Sequence, residues 1–242
     1  MSNNTDNYRE EFRELGVRHG EIANVSFINQ VYGWMCGGLL LTALAAWGVL
    51  STEELQRAVL GNSGLFLVLI LAELGLVFAI SLGIRKMTAA TAGFLFIVYS
   101  LLNGLTISAI LFGFTQASVA STFLITAGMF GAMSIYGTLT KRDLTSWGNL
   151  LLMGLFGIII ASVVNIFFLS SALQWAISII GVFIFLGLTA YDTQKIINIS
   201  GSMDASNERE SVRKVAIIGA LSLYLDFINL FLMLLRLFGN RR

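Results

Sequence analysis

The chain has 242 residues, of which 56% are hydrophobic and 12% are charged, and its mean hydropathy is +0.81. Soluble domains carry about 25% charged residues, so this composition excludes a soluble globular protein and indicates a membrane protein with several spans. The formal net charge is +1 and the basic residues are scattered, which excludes a nucleic-acid-binding face. The single cysteine, Cys36, and the single histidine, His19, exclude an internal disulfide and argue against Cys-rich zinc sites and Ser-His or Cys-His hydrolases.

Seven apolar segments follow a polar amino-terminal tail at residues 1–29. Each is close to the roughly 20 residues that cross a hydrocarbon core of about 30 Å, and none alternates as a barrel strand would. We therefore predict an all-α membrane protein with a cytosolic tail at 1–29 and one domain at 30–242, a seven-transmembrane-helix bundle. The predicted spans are 31–50, 65–84, 89–112, 119–139, 147–169, 175–194 and 215–238.

The distribution of Lys and Arg predicts the orientation of these spans. Eleven basic residues lie in the tail and in the second, fourth and sixth connections, whereas the first, third and fifth connections hold one, Arg57. Because basic connections stay in the cytosol, the amino terminus is predicted to be inside. Arg236, Arg241 and Arg242 would then lie outside if the last segment crosses fully, and inside if it is re-entrant. We favour full crossing, since 24 residues without proline are ample.

Three acidic residues fall within predicted spans: Glu73, Asp192 and Asp226. Each costs about 2.5 to 3.5 kcal/mol at the centre of a membrane helix, and such residues usually face a bundle interior or a water-filled path. No Lys or Arg is expected at the same depth, so the acids must be protonated, share a proton or hold a cation. The structural alternative, a neutral carboxyl bonded to carbonyls, stays open for each, most of all for Glu73.

The last span has one polar face. Residues spaced by three and four place this face on one side of a helix, and they are Gly219, Ser222, Asp226, Asn229, Met233 and Arg236. A helix surrounded by other helices can keep such a face away from lipid, so we predict that the last helix is central. Close packing alone would explain Gly219 and Ser222, but it would not explain Asp226 with Asn229.

Asp192 lies near the predicted cytosolic end of the sixth span. The sixth and seventh spans are consecutive and antiparallel, so Asp192 and Asp226 reach a similar depth if the polar connection at 196–214 extends the hairpin. Two carboxyl groups in contact titrate as a coupled pair. The pair is therefore predicted to be a pH-sensitive latch.

Five stretches carry a recognisable pattern: NGLTIS at 103–108, YGTLTKRDL at 136–144, IASVVN at 160–165, GLTAYDTQK at 187–195 and LDFINLF at 225–231. The chain resembles the bacterial branch of the Bax inhibitor family, also called transmembrane BAX inhibitor motif proteins, from about residue 30 to the end. The resemblance implies a bundle around a central last helix in the bacterial inner membrane. It also implies a pH-dependent calcium leak gated by Asp192 and Asp226. A basic residue of the second helix contacts this pair in some relatives, and its loose counterpart here is Arg85, a possible latch.

Two functions of different classes are compatible with these features. The first is a passive leak for calcium or other cations, in which Glu73, Asn103 and Asn229 could add ligands along the path. No Asp-rich loop with regular spacing occurs, so we expect no metal site of high affinity and no cofactor, with Ca²⁺ as the permeant ion. The alternative is a membrane interaction protein that regulates a partner such as a quality-control protease, through the tail or the segment 195–214.

Enzymatic functions are not expected. An intramembrane aspartyl protease would need a Gly-x-Gly-Asp motif and a proline-containing element, whereas Asp226 follows Leu223-Tyr224-Leu225 and the chain has no proline. A retinal protein would need a Schiff-base lysine, and residues 215–238 hold none. Gly33 and Gly37 form a Gly-x-x-x-Gly pattern, which we expect to pack within the bundle rather than to form a dimer.

Overall fold

The structure is a computed structural model that describes residues 3–201 and 209–242, with side chains described from Val25 onward. These residues form eight helices and no strand, and seven of the helices, all except the short α2, are long and apolar enough to cross a membrane. The predicted all-α membrane bundle is therefore confirmed. The helices are α1 (Asn3–Ser51), α2 (Glu53–Leu60), α3 (Ser63–Gly83), α4 (Ala89–Leu111), α5 (Gln116–Leu139), α6 (Thr145–Phe168), α7 (Ser171–Gly201) and α8 (Arg209–Phe238).

Several helices begin where a polar side chain can cap them. The side-chain oxygens of Asn62, Thr88 and Thr115 accept hydrogen bonds from backbone N–H groups at the starts of α3, α4 and α5. An N-terminal helix turn has free N–H groups, and capping oxygens satisfy them at the membrane boundary. Each of these three apolar helices is therefore preceded by a polar residue that caps its first turn.

Two features extend beyond the predicted spans. The tail at 1–29 is continuous with α1, whose backbone is helical from Asn3, although the side chains up to residue 24 lie outside the described part. Helix α2 was not predicted, because its eight residues are too few to span a membrane. Its exposed Glu53 and Arg57 side chains form a surface ion pair at 2.9 Å.

The last helix, α8, occupies the centre of the bundle, as its polar face predicted. It packs against α1, α4, α5 and α7, and Leu223, Tyr224, Leu230 and Leu235 are fully buried. The helix α3 packs on α4, and α6 packs on α7, so both are peripheral. Lipid covers the outer faces of these peripheral helices without an energetic cost, whereas the polar residues of α8 are enclosed by protein.

The helix α8 runs alongside α4 from end to end. At its start the Glu210 carboxylate accepts a hydrogen bond from the backbone N–H of Ala89, at 3.3 Å. After its last turn, the N–H of Thr115 donates to the carbonyl of Asn240, at 3.0 Å, and the N–H of Arg242 donates to the carbonyl of Gly113, at 3.1 Å. The 30 residues of α8 are continuously helical. The two ends of α8 therefore lie at opposite ends of the bundle, as full crossing requires.

The Gly-x-x-x-Gly pattern of α1 is not used inside the bundle. Gly33 and Gly37 are exposed, and a Cβ atom added to either would meet no atom within 4 Å. The close contact between α1 and α4 is formed elsewhere, where Gly104 lies against the backbone of Thr42. The expectation that Gly33 and Gly37 pack within the bundle is wrong, because another glycine supplies the close approach.

Candidate functional site

An open cavity of about 630 Å³ lies between α6, α7 and α8. We call it the aspartate cavity, because both predicted aspartates line it. Apolar residues of α6 form one wall, and most of the polar groups come from α7 and α8. Its main polar lining is Ser162, Tyr191, Asp192, Lys195, Ser222, Asp226, Asn229 and Arg236. The polar face of α8 therefore points into this cavity.

The two aspartates differ in their surroundings. Asp192 is half-buried and accepts a hydrogen bond from the Ser222 hydroxyl. Asp226 is only 5% exposed, and its Oδ2 atom has no hydrogen-bond partner among the described residues. The charges of the two carboxyl groups act on each other. Since buried polar atoms are nearly always paired, this free oxygen marks a place for a proton, water or a cation.

The hairpin of α7 and α8 determines the relative depth of the pair. Helix α7 continues nine residues beyond Asp192 to Gly201, and α8 begins at Arg209, so helical structure extends the hairpin well beyond both aspartates. Asp192 is level with Ser222, and Asp226 follows one turn later, about 6 Å further along the axis. Asp226 therefore lies about one turn farther than Asp192 from the connection between α7 and α8.

Basic residues lie at both ends of the aspartate cavity. Lys195 follows Asp192 by one helical turn, and its charge acts on that carboxylate. A second cavity of about 290 Å³ adjoins the first at Tyr191 and Lys195 and includes Gln194. Arg236 lines the other end, ten residues or about 15 Å beyond Asp226. Lys195 therefore lies within one helical turn of Asp192, whereas none of the described Lys or Arg residues lines the cavity at the level of Asp226.

The patterns at 136–144 and 187–195 come together in space. The side-chain amide of Gln194 accepts a hydrogen bond from the N–H of Leu144, at 2.9 Å, and donates one to the carbonyl of Arg142, at 2.8 Å. In the same connection, the Asp143 carboxylate accepts a bond from the N–H of Thr145, and bonds from Thr145 lower its pKa. These contacts attach the connection between α5 and α6 to the helix that carries Asp192.

A second polar group lies on another side of α8. Glu73 accepts hydrogen bonds from Thr106, at 2.6 Å, and from the side-chain amide of Asn103, at 3.1 Å. The Tyr224 hydroxyl donates to Asn103 Oδ1, at 2.9 Å, and shares a 2.6 Å bond with the Thr42 hydroxyl. This Glu73 network joins α1, α3, α4 and α8, so it links the peripheral helix α3 to the centre.

The structure separates the predicted site residues into two groups. Asp192, Asp226 and Asn229 line one cavity, although the Asn229 amide also donates to the carbonyl of Leu225 in its own helix, at 2.8 Å. Glu73 and Asn103 belong to the other group. No cluster of three acidic, His or Cys side chains suitable for a metal ion occurs within the described residues.

Arg85 is not brought to the aspartates. It is exposed in the turn after α3, and it does not line the aspartate cavity. It also forms no ion pair within the part of the chain that the structure describes. The reason is the peripheral position of α3, which packs on α4 and not along the α7 and α8 pair.

Sequence analysis missed Tyr224, Thr42, Thr106 and the role of Lys195. Hydroxyl groups in a membrane helix can bond to their own backbone, as Thr126 does to the carbonyl of Thr122 at 2.7 Å, so their presence alone does not indicate a network. The surfaces considered for a protein partner, the tail and the segment 195–214, lie partly outside the described residues, which omit 202–208 and the side chains before Val25.

A family profile described as "Inhibitor of apoptosis-promoting Bax1" matches residues 24–242. The chain is 52% identical over 217 residues to inner membrane protein YbhL of Escherichia coli, covering 90% of this chain and 92% of that protein. It is 47% identical over 216 residues to an uncharacterized protein of Borreliella burgdorferi, with coverages of 89% and 92%. It is 39% identical over 215 residues to the uncharacterized protein YrjE of Lactococcus lactis, with coverages of 88% and 90%. The resemblance is confirmed, and the chain belongs to the Bax inhibitor family.

Proposed function

We propose that this protein is a pH-sensitive cation leak, with Ca²⁺ as the permeant ion and the pair of Asp192 and Asp226 as its gate. The observation that carries the proposal is the buried, unpartnered Oδ2 atom of Asp226 in an open cavity beside a second carboxyl group. An isolated charge in a low-dielectric interior costs several kcal/mol, so this oxygen requires a proton or a cation beside it. Protons and cations therefore compete for the same place.

The small number of oxygen ligands at the site suits ion conduction more than tight ion binding. Calcium prefers six to eight oxygen ligands, and the aspartate cavity offers two carboxyl groups, the Ser222 hydroxyl and the side chain of Asn229. Such a set holds an ion weakly, and weak holding is what conduction requires. The second cavity at Lys195 leads toward the end of the bundle, which gives ions an approach to Asp192. The proposal involves no catalytic step and no cofactor.

Glu73 is a second acidic group within a span, and its network lies on the other side of α8 from the aspartate cavity, which Glu73 does not line. Glu73 is half-buried within its span, and both of its oxygens accept hydrogen bonds. It would attract cations toward α8 from the α3 side, while the aspartates act on the other side of the same helix.

We place the protein in the bacterial inner membrane, where the name of its Escherichia coli relative places that protein. The amino terminus is proposed to be cytosolic. The turns at 84–88 and 140–144 and the start of α8 hold most of the basic residues outside the tail, and basic connections remain in the cytosol. The aspartate pair then lies nearer the cytosolic side, and Arg242 lies on the opposite side.

The direct test is Ca²⁺ flux into liposomes that contain only this protein, measured across pH. The unsubstituted protein should conduct, and Asp226→Asn should lose most of the pH response, because an amide cannot exchange the proton. Asp143→Asn is the matched control, since it removes an exposed loop carboxyl with the same chemical change. Absence of flux in the pure system would overturn the leak and would favour the interaction protein, whose tail variants would then impair function with both aspartates intact.

A further inference from the structure

An open groove of about 550 Å³ lies on a different side of α8 from the aspartate cavity. We call it the C-terminal groove. Helices α1 and α5 form its walls through residues such as Trp47 and Phe123, and α4 and α8 form its floor through residues such as Ile107 and Phe231. All of its lining residues are apolar except Thr42, Gln116 and Arg242. Its volume falls within the roughly 300 to 1,000 Å³ of ligand sites that bury a small molecule.

The groove has the depth of one membrane leaflet. Along α1 its lining extends from Leu50, near the end of the helix, to Leu39. Eleven residues of helix rise about 16 Å, which is half of a hydrocarbon core of about 30 Å. The groove is therefore matched to the acyl chain of a lipid in the leaflet on that side of the membrane.

One basic residue, at the carboxy-terminal end of the sequence, lines this groove. Arg242 lines it, and its backbone is held to the turn between α4 and α5 by the bond to the carbonyl of Gly113. The preceding residue, Arg241, forms a backbone bridge with Phe114, and the N–H of Asn240 donates to the Ser118 hydroxyl at 2.9 Å. Arg242 is exposed and forms no ion pair within the described residues.

Arg242 lies at the end of the bundle where the connections between helices hold few basic residues. Basic residues are depleted in the other connections at this end of the bundle, and Arg57 there is paired with Glu53 at 2.9 Å. An unpaired guanidinium at the membrane boundary, beside an apolar groove, is complementary to a phosphate group attached to an acyl chain. Arg binds phosphate through a planar fork of N–H donors. An anionic headgroup is favoured over a zwitterionic one, because the zwitterionic headgroup also carries a cation that the guanidinium repels.

We propose that the C-terminal groove binds one anionic phospholipid, with an acyl chain between α1 and α5 and its phosphate on Arg242. Backbone bonds of residues 239–242 hold this segment against the turn between α4 and α5, which places Arg242 beside the groove. The groove is separate from the aspartate cavity, because no aspartate lines it and it lies on a different side of α8. It shares only Thr42 with the Glu73 network.

Trp47 lines the groove and serves as a local reporter. The full chain with Trp47 as its only tryptophan, made by Trp34→Phe, Trp147→Phe and Trp175→Phe, is reconstituted into phosphatidylcholine vesicles. A small share of the lipid, either phosphatidylglycerol or phosphatidylcholine, carries bromine on its acyl chains and quenches indole fluorescence on contact. The apparent affinity for the anionic lipid should exceed that for the zwitterionic one about fivefold, the effect of one favourable cation near a charged headgroup.

Arg242→Gln should remove this preference, whereas Arg57→Gln should retain it, because Arg57 is already paired on α2. A chain that keeps Trp175 as its only tryptophan is the second control, because Trp175 is 64% exposed at the start of α7, on the same side of the membrane as the groove. Its quenching should show no preference for the anionic lipid. This control distinguishes binding in the groove from a general attraction of anionic lipid to the protein. Equal quenching of Trp47 by the two lipids in the chain with Arg242 intact would overturn the proposal, even if Arg242→Gln does not assemble. A preference that survives Arg242→Gln would also overturn it.

Discussion

Tyr224 and Asp226 lie two residues apart on α8 and face different polar groups. Two residues correspond to about 200° around a helix, so the side chains point to nearly opposite sides. The Tyr224 hydroxyl bonds to Asn103 and Thr42, whereas Asp226 lines the aspartate cavity with an unpaired oxygen. One central helix therefore carries a satisfied network on one side and an unsatisfied carboxyl on the other.

Asp192→Asn is expected to remove most of the pH response of Ca²⁺ flux between about pH 6 and 8, the range in which a proton-sharing carboxyl pair can titrate. The amide cannot release a proton, so one half of the pair no longer responds. The measurement is the pH profile of flux in liposomes, with Asp143→Asn as control. An unchanged profile in Asp192→Asn would exclude this residue from the gate.

Glu73→Gln is expected to lower divalent flux while the protein still assembles. The amide removes the charge but keeps the shape and one acceptor oxygen for Thr106 or Asn103. Flux and the elution profile in detergent are measured together, and Glu53→Gln on the exposed helix α2 is the matched control. If Glu73→Gln conducts normally and only Glu73→Leu misfolds, the role of Glu73 is structural.

Tyr224→Phe is expected to destabilise the bundle by about 1 kcal/mol, because hydrogen bonds between membrane helices average about 0.6 kcal/mol and the hydroxyl makes two. The free energy of unfolding in detergent is measured, alone and in a double-mutant cycle with Thr42→Val. Tyr99→Phe is the control, because it removes a hydroxyl from a neighbouring tyrosine but keeps the edge-to-face contact between that ring and the ring of Tyr224. Additive effects of Tyr224→Phe and Thr42→Val would show that the two hydroxyls are not coupled.

Gly137→Ala is expected to destabilise the contact between α5 and α7 by about 1 to 3 kcal/mol, the usual cost of overpacking. A Cβ at Gly137 would collide with the backbone carbonyl of Ala190, and backbone cannot move aside as a side chain can. Gly128→Ala on the same helix is the control, because a Cβ there meets nothing within 4 Å. Thermal unfolding of the two variants is compared, and equal melting temperatures would contradict this packing.

A cysteine placed after Arg242, in a Cys36→Ser background, is expected to react with an impermeant thiol reagent on intact cells. The reason is that α8 is continuous and ends beside the turn at 112–115, opposite the basic turns. Lys86→Cys, in an exposed turn at the other end of the bundle, should be protected in the same cells. If the carboxy-terminal cysteine is protected and Lys86→Cys is labelled, the orientation in the membrane is the opposite of the one proposed.

The amino-acid sequence alone predicts the seven spans, the central position of the last helix and the two aspartates as a candidate pair. These properties depend on local physical rules. About 20 apolar residues are needed to cross the bilayer, and a polar face on a membrane helix must be enclosed by protein. The aspartates were found because an ionisable residue in a span is costly enough to stand out from its apolar surroundings.

Which polar groups meet depends on how the helices pack in three dimensions, and the sequence did not predict it. The network of Glu73, Asn103 and Tyr224 joins residues far apart in sequence, and a hydroxyl in a helix gives no sign of whether it bonds to its own turn or to another helix. The exposed position of Arg85 depends on how α3 packs, which its uniformly apolar faces do not specify. In lipid, apolar surface drives insertion but does not select partners, so the choice of neighbours follows from small residues, hydrogen bonds and close packing across the whole bundle.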